Sequence, residues 1–262
     1  VNGRDLFWVK SETGAEARAG QILGFVLGLG FWAGLLGWAF SRTLYVWNWP
    51  LVFQYKTNFI EGWISTVWLS LLALVLSLVF GATLTAARRA PFLPLRYFSR
   101  IYVQIVRGTP LLVQLLVSYY FITHALALEN RYVVGAVTLA LFSGAYISEI
   151  IRGGLESVEN SQKETARALG LSRAQTYRYV ICPQALRQAL PALTGQLLLL
   201  VKDSSLLSVL GIYEFTQSAQ LVNARTYNTV EGYLVLAVGY LVLTLPLSWL
   251  TKRLEARFRY ET

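Results

Sequence analysis

The chain has 262 residues, 55% of them hydrophobic and only 14% charged, and its mean hydropathy of +0.48 is too apolar for a soluble domain of this length, which places it in a bilayer. The net charge of +9 admits nucleic acid, an anionic membrane surface or an orientation signal, and the placement of the charges decides among them. A single cysteine, Cys182, excludes an internal disulfide and a multi-cysteine metal site, and the single histidine, His124, stands in an apolar run with no second ligand beside it.

About 20 apolar residues cross a hydrocarbon core of about 30 Å. The first such run, 21–40, carries no charge. Mixed charges before it and the lack of a small-residue cleavage site after it predict a span and not a signal peptide. The second run, 62–87, is also uncharged, and the third, 108–128, contains only His124. Runs at 132–148, 188–213 and 232–251 come next, the fifth interrupted by Lys202-Asp203. Pro110 and Pro246 fall in spans and predict bends, because proline removes an intrahelical hydrogen bond. Gly108 and Gly144 are expected where helices pack closely, and Gly153-Gly154 at the end of the fourth span. The expected fold is all-α, a polytopic transmembrane bundle of six predicted spans. Methionine is absent, so Val1 is expected to be a non-AUG start codon translated literally.

Sorted by loop, seventeen lysines and arginines fall on one side of these spans and four (Arg42, Lys56, Arg131, Arg225) on the other. Basic residues favour the cytoplasmic side, so both termini are expected there, and the basic excess is accounted for without nucleic acid. Tyr45, Trp47, Trp49, Tyr55 and Trp63 gather at the external junction of the first two spans, where amphipathic rings prefer to sit.

Between the fourth and fifth spans lies a markedly polar segment of some 35 residues with explicit helix signals. Ser161-Gln-Lys-Glu164 and Ser172-Arg-Ala-Gln175 both fit a capping box. Gly170 stands where the first helix should end, and Pro183 is expected to stop or kink the second. A stiff helix–turn–helix at the inner face results. A DNA-binding unit of that type needs a packed third helix and freedom to reach a duplex, whereas this one is tied at both ends to spans.

The insert resembles the "EAA" signature of ABC importer permeases. Glu164-Thr165-Ala166, then Gly170 after three residues, Val180 after nine more and Pro183 fall at that signature's spacing, with Thr165, Val180 and Cys182 as mild departures. The likeness extends to "VQIVRGTPLLVQL", "SGAYISEIIRGGLESV", "PQALRQALPAL" and "LLVKDSSLLSVLG", which look like the polar amino-acid subfamily over roughly residues 60 to 255. The resemblance implies a five-span core in residues 59–255, with 21–58 as an extra helix and external loop. Residues 1–20 and 256–262 would be cytoplasmic. It also implies that the coupling loop 156–183 docks on a cytoplasmic ATPase dimer through Glu164, Thr165, Ala166, Gly170, Leu171, Val180 and Pro183. Further implied partners are a second permease chain, identical or homologous, and an extracytoplasmic amino-acid-binding protein. The chain has no G-x-x-x-x-G-K-[ST] phosphate loop and no Gly-Lys dipeptide. It is therefore expected to lie in the inner membrane of a prokaryote, to bind no cofactor and to catalyse no chemistry, ATP and Mg²⁺ being held by the cytoplasmic partner.

Ionisable groups at membrane depth cost about 2.5–3.5 kcal/mol and usually face a polar interior. Arg107 and Glu149 are expected about 10 Å in from the inner ends of their spans, close enough to pair, and Lys202-Asp203 about 20 Å in. With Thr109, Ser143 and Ser204 these residues are the candidate substrate pathway, since an amino acid carries both an ammonium and a carboxylate. A local break after Lys202-Asp203 would line a cavity with backbone groups. The same charges also fit internal ion pairs that hold spans together. An ion-gradient-driven transporter or channel is the competing function, with Lys202-Asp203 as its ion-linked site.

Overall fold

A computed structural model describes residues 15–42, 45–125, 127 and 130–258. The expected cytoplasmic stretches lie outside these residues at 1–14 and 259–262. The described residues contain helices and no strand. The chain divides into two units, Val1–Trp47 and Asn48–Thr262.

The smaller unit carries α1 (Ala15–Ser41), whose apolar part Ile22–Ser41 is long enough to span and has none of its residues buried. Its apolar side chains point outward on every side, the pattern of a helix solvated by hydrocarbon. The Ser41 hydroxyl closes the last turn on the Trp38 carbonyl, 2.8 Å away.

The larger unit begins with α2 (Trp49–Phe53), capped by the Asn48 side chain, and α3 (Lys56–Arg89). Then come α4 (Leu93–Gly108), α5 (Leu111–Val117), a π-helical stretch Ser118–Ile122 and α6 (Thr123–Ala125). Next are α7 (Arg131–Glu156), α8 (Asn160–Ala168) and α9 (Arg173–Gln175). A second π-helical stretch, Thr176–Ile181, leads without interruption into α10 (Cys182–Asp203), which tightens into a 3₁₀ helix over Ser204–Leu210. The chain closes with α11 (Phe215–Thr226) and α12 (Thr229–Phe258). Five described helices are long and apolar enough to cross a bilayer, or six if the bent pair Leu93–Gly108 and Leu111–Ala125 forms one span.

That bent pair corrects the simple span expected at 108–128. Residues 93–108 form an amphipathic helix of their own, which turns through 110° at Gly108–Pro110. Thr109 and Pro110 are both extended there, as proline requires of the residue before it. Gly108 has open space around it and is not a close-packing point. Pro246, by contrast, lies inside α12 without ending it.

The core forms where α3, α7 and α10 pack, around Leu69, Ala73, Leu84, Leu139, Ala145, Leu200 and Leu207. Without a hydrophobic driving force in lipid, such packing depends on small residues that let backbones approach. Gly81 and Gly144 do this between α3 and α7: a methyl group added at Gly81 would meet Ile147 at 2.6 Å, and one at Gly144 would meet Phe80 at 2.7 Å. Three of the hydroxyls buried alongside satisfy themselves on helix carbonyls, whereas that of Ser70 has no partner among the described residues. Ser77 donates to Leu74, Ser148 to Ala145, and Thr85 to both Gly81 and, across the interface, Ser148. Gly153 and Gly154 do not end α7, which runs on to Glu156. Gly154 instead admits α10, the Ala185 carbonyl lying 2.6 Å from where its Cβ would be.

A second cluster joins α2, α3, α11 and α12 through Val52, Phe59, Phe215 and Val222. Tyr55 and Trp63 pack against it and the Trp63 indole donates to the Gly239 carbonyl at 3.2 Å, so these two rings serve the core. Residues 48–58 and 211–228 are thus structured, tied also by Asn48 N–H donating to Glu231 at 2.7 Å.

Candidate functional site

The polar insert is a knuckle between α7 and α10. α8 ends in a two-bond closure: the Gly170 N–H donates to the Arg167 carbonyl (2.9 Å) and the Leu171 N–H to the Ala166 carbonyl (3.1 Å), with Gly170 at φ +78°. This closure needs a left-handed residue after the helix, which glycine adopts without penalty. Two residues later Ser172 and Gln175 form a complete capping box, Gln175 N–H donating to the Ser172 hydroxyl and Ser172 N–H to the Gln175 side chain. The other expected box is absent. α8 starts at Asn160, so Ser161 lies inside its first turn and donates instead to Glu159 at 2.9 Å.

Pro183 does not stop the second helix. It sits in the first turn of α10, directly after the π-helical stretch, and the helical run continues from Arg173 to Leu210. The wider turn accommodates a residue that lacks an N–H. Ala166 and Thr176 face inward and are buried, beside a small core of Val158, Ile181 and Ala185. Leu171 and Val180 are half-buried, while Glu164, Thr165, Gly170 and Pro183 are exposed. Leu169, at the tip, is 75% exposed. Little in the sequence warns of that, because one leucine in a polar stretch has no periodicity to reveal its direction.

Glu149 is the centre of a charge cluster at the basic end of the bundle. It forms an ion pair with Arg88 of α3, and it accepts from Arg152 Nε at 3.1 Å and Nη2 at 2.7 Å. Arg152 also pairs with Glu156. Arg107, at the last turn of α4, lies 3.7 Å from the Glu149 carboxylate with its guanidinium over the Tyr146 ring. Arg107 and Glu149 do meet, but Arg107 is the loosest of three partners. Arg88 lies 61 residues from Glu149 in the chain, and no local pattern announces such a pair.

Lys202 is exposed and Asp203 half-buried, and among the described residues neither forms an ion pair. Adjacent helical residues point about 100° apart, which separates them. The helix tightens after Asp203 instead of unwinding, so the expected break does not expose a row of backbone groups. The candidate hydroxyls are engaged as well. Ser204 is buried and donates to the Val201 carbonyl (2.8 Å), buried Ser143 lies 3.5 Å from the Gln196 amide, and Thr109 donates to Ile105 (2.9 Å) while accepting from Gln114 (2.8 Å). The structure therefore brings Arg107 and Glu149 together and leaves Thr109, Ser143, Lys202, Asp203 and Ser204 in separate local contacts.

Glu214 was not apparent from sequence. Fully buried, it caps α11 by accepting from Thr216 N–H (2.9 Å) and Gln217 N–H (2.7 Å), and it also accepts from Thr66 of α3 (3.3 Å) and Tyr240 of α12 (3.2 Å). Burial pushes its carboxyl up, and these hydrogen bonds pull it partly back. One carboxylate thus ties three helices together.

Residues 77–260 match the family model for the inner membrane component of binding-protein-dependent transport systems. The chain is 36% identical over 214 residues to the glutamine transport system permease protein GlnP of Escherichia coli (strain K12), covering 81% of this chain and 98% of the relative. It is 34% identical over 215 residues to the probable glutamine ABC transporter permease protein GlnM of Bacillus subtilis (strain 168), covering 80% of this chain and all of the relative. Among solved structures, a crystal structure of an amino acid ABC transporter with histidines superposes with a TM-score of 0.76 at 34% identity, over 81% of this chain and all of that one. The methionine ABC transporter MetNI, at 18% identity and a TM-score of 0.67, shares the fold. The chain belongs to the family of inner membrane components of binding-protein-dependent transport systems, as a transport subunit without an ATPase site of its own.

Proposed function

We propose that this chain is the permease of an ATP-driven importer of polar amino acids, coupled to a cytoplasmic ATPase dimer through residues 156–183. The observation that carries the reading is mechanical. A knuckle closed at Gly170 and capped at Ser172 opens directly into the 38-residue helical run Arg173–Leu210. A displacement applied to Glu164, Thr165, Leu169 or Gly170 is delivered along that run to the level of Lys202 and Asp203. A flexible loop would dissipate it.

In this mechanism two permease chains, identical or homologous, form the pathway. An extracytoplasmic amino-acid-binding protein delivers solute near α2 and α11, and the chain itself holds no cofactor, ATP and Mg²⁺ belonging to the ATPase. ATP-driven closure of the ATPase dimer switches the path, and only binding energy that differs between the two states drives that switch. Arg107, Thr109, Ser143, Glu149, Lys202, Asp203 and Ser204 remain the candidate pathway residues, with Lys202 and Asp203 offering charge to a carboxylate and an ammonium. Both termini are cytoplasmic in this arrangement, consistent with the seventeen-to-four bias of basic residues. The relatives that carry glutamine in their names favour a neutral polar amino acid.

The test is uptake of radiolabelled glutamine, histidine and arginine into proteoliposomes holding this permease, its ATPase and its binding protein. Uptake of at least one that requires both ATP and the binding protein supports the proposal. Uptake driven by an ion gradient without ATP would overturn it in favour of a secondary transporter.

A further inference from the structure

At the basic end of the larger unit, the turn 90–92 joins α3 to α4, and beside it lies a trough of about 500 Å³. Its lining is almost wholly apolar. Ala86, Ala87 and Ala90 of α3 are too small to fill it, Leu95 and Phe98 of α4 form a wall, and Phe98 is 66% exposed. The Ser99 hydroxyl at its base is used up on the Leu84 carbonyl, 2.9 Å away. The other lining hydroxyl, Thr83, donates to the Phe80 carbonyl at 2.7 Å, so the slot offers hydrocarbon a fit and a polar solute little.

The charge at its mouth is of one sign. Residues 88–100 contain four arginines and no acid. Arg88 is committed to Glu149. Arg96 donates from Nε (3.2 Å) and Nη2 (2.8 Å) to the carbonyl of Ala90, a lining residue, which fixes its guanidinium at the mouth with further N–H groups to spare. Arg89, exposed, is the chain neighbour of Ala90, and among the described residues neither Arg89 nor Arg96 has an acidic partner within 4.0 Å. Basic pockets between membrane helices on the cytoplasmic side suit anionic headgroups.

We propose that this trough binds one anionic phospholipid, an acyl chain lying along Ala86, Ala87 and Phe98 and the phosphate held by Arg96 and Arg89. A zwitterionic lipid fits the slot equally well but gains less from two uncompensated guanidiniums.

Native mass spectrometry of the full-length chain in mild detergent, titrated with phosphatidylglycerol and separately with phosphatidylcholine, tests this. The expected result is one site that prefers phosphatidylglycerol, weakened about thirtyfold in the Arg89→Gln/Arg96→Gln variant if each arginine acts as a typical surface cation. Ala87→Trp, which fills the slot and leaves both charges in place, should also abolish that site, whereas Arg253→Gln, a cation elsewhere in the chain stacked on Trp249, should not. Equal affinity for the two lipids, equal loss in Arg253→Gln, or a trough occupied by a second copy of the chain, seen as a dimer that Ala87→Trp disrupts, would overturn the proposal.

Discussion

Replacing Glu149 by glutamine keeps the side chain's shape and removes the charge that three arginines share. Breaking one partner of a fully buried pair costs about 3–5 kcal/mol, whereas exposed pairs contribute about 0–1 kcal/mol. Glu149 at 16% exposure and Arg88 at 20% lie toward the first limit, Arg152 at 37% and Arg107 at 45% toward the second. Glu156 still neutralises Arg152 in the variant. The expected loss is therefore about 2 kcal/mol, between those limits, or roughly 4–8 °C in melting temperature for a chain of this size. Intrinsic tryptophan fluorescence during heating in detergent reads it. Arg88→Gln should cost nearly as much alone and little more when added to Glu149→Gln, a coupling of about 1 kcal/mol or above. Arg107→Gln, removing the loosest partner, should stay within about 0.5 kcal/mol. If Glu149→Gln melts with the wild type, or the Arg88 and Glu149 effects simply add, the cluster does not hold α3 to α7.

Gly170→Pro should leave membrane insertion nearly normal, since the spans are untouched. It replaces φ +78° by about −65° and deletes the N–H that bonds Arg167, so solute-stimulated ATP hydrolysis by the assembled complex should vanish; wild-type stimulation would remove the coupling claim. Asp203→Asn should assemble with basal hydrolysis intact and alter the affinity or rate of uptake, and an unchanged transport profile would demote Asp203 to a packing residue. Glu214→Ala loses a helix cap and removes an acceptor from Thr66, which keeps only the Phe215 N–H, and from Tyr240, which keeps only Thr216, for a loss of about 2 kcal/mol in thermal unfolding, while Glu214→Gln should recover part of it.

The apolar runs were legible because a bilayer imposes length and composition on any segment that crosses it. Gly170 and the Ser172 box were legible because helix ends need local chemistry that few residues supply. The bend at Gly108–Pro110 was hidden by that same hydropathy: 108–128 looks like a span by itself, and the arginines of 93–108 made an amphipathic helix look like loop. Ser161 fits a capping box equally well on paper, yet α8 starts before it, and that choice depends on how the chain leaves α7. The partners of Glu149 and Glu214 are long-range. Arg88 meets Glu149, and Thr66 and Tyr240 meet Glu214, only because particular helices pack, and one sequence carries no direct record of that.

The central claim is that the knuckle between α7 and α10 engages an ATPase. The most direct measurement is purification of this chain from its native membrane in mild detergent, with bound subunits identified by mass spectrometry. The predicted result is recovery of an ATPase subunit, lost on Gly170→Pro or deletion of residues 161–180. A chain that retains the same ATPase after that deletion, or that brings none down under several gentle conditions, would contradict it.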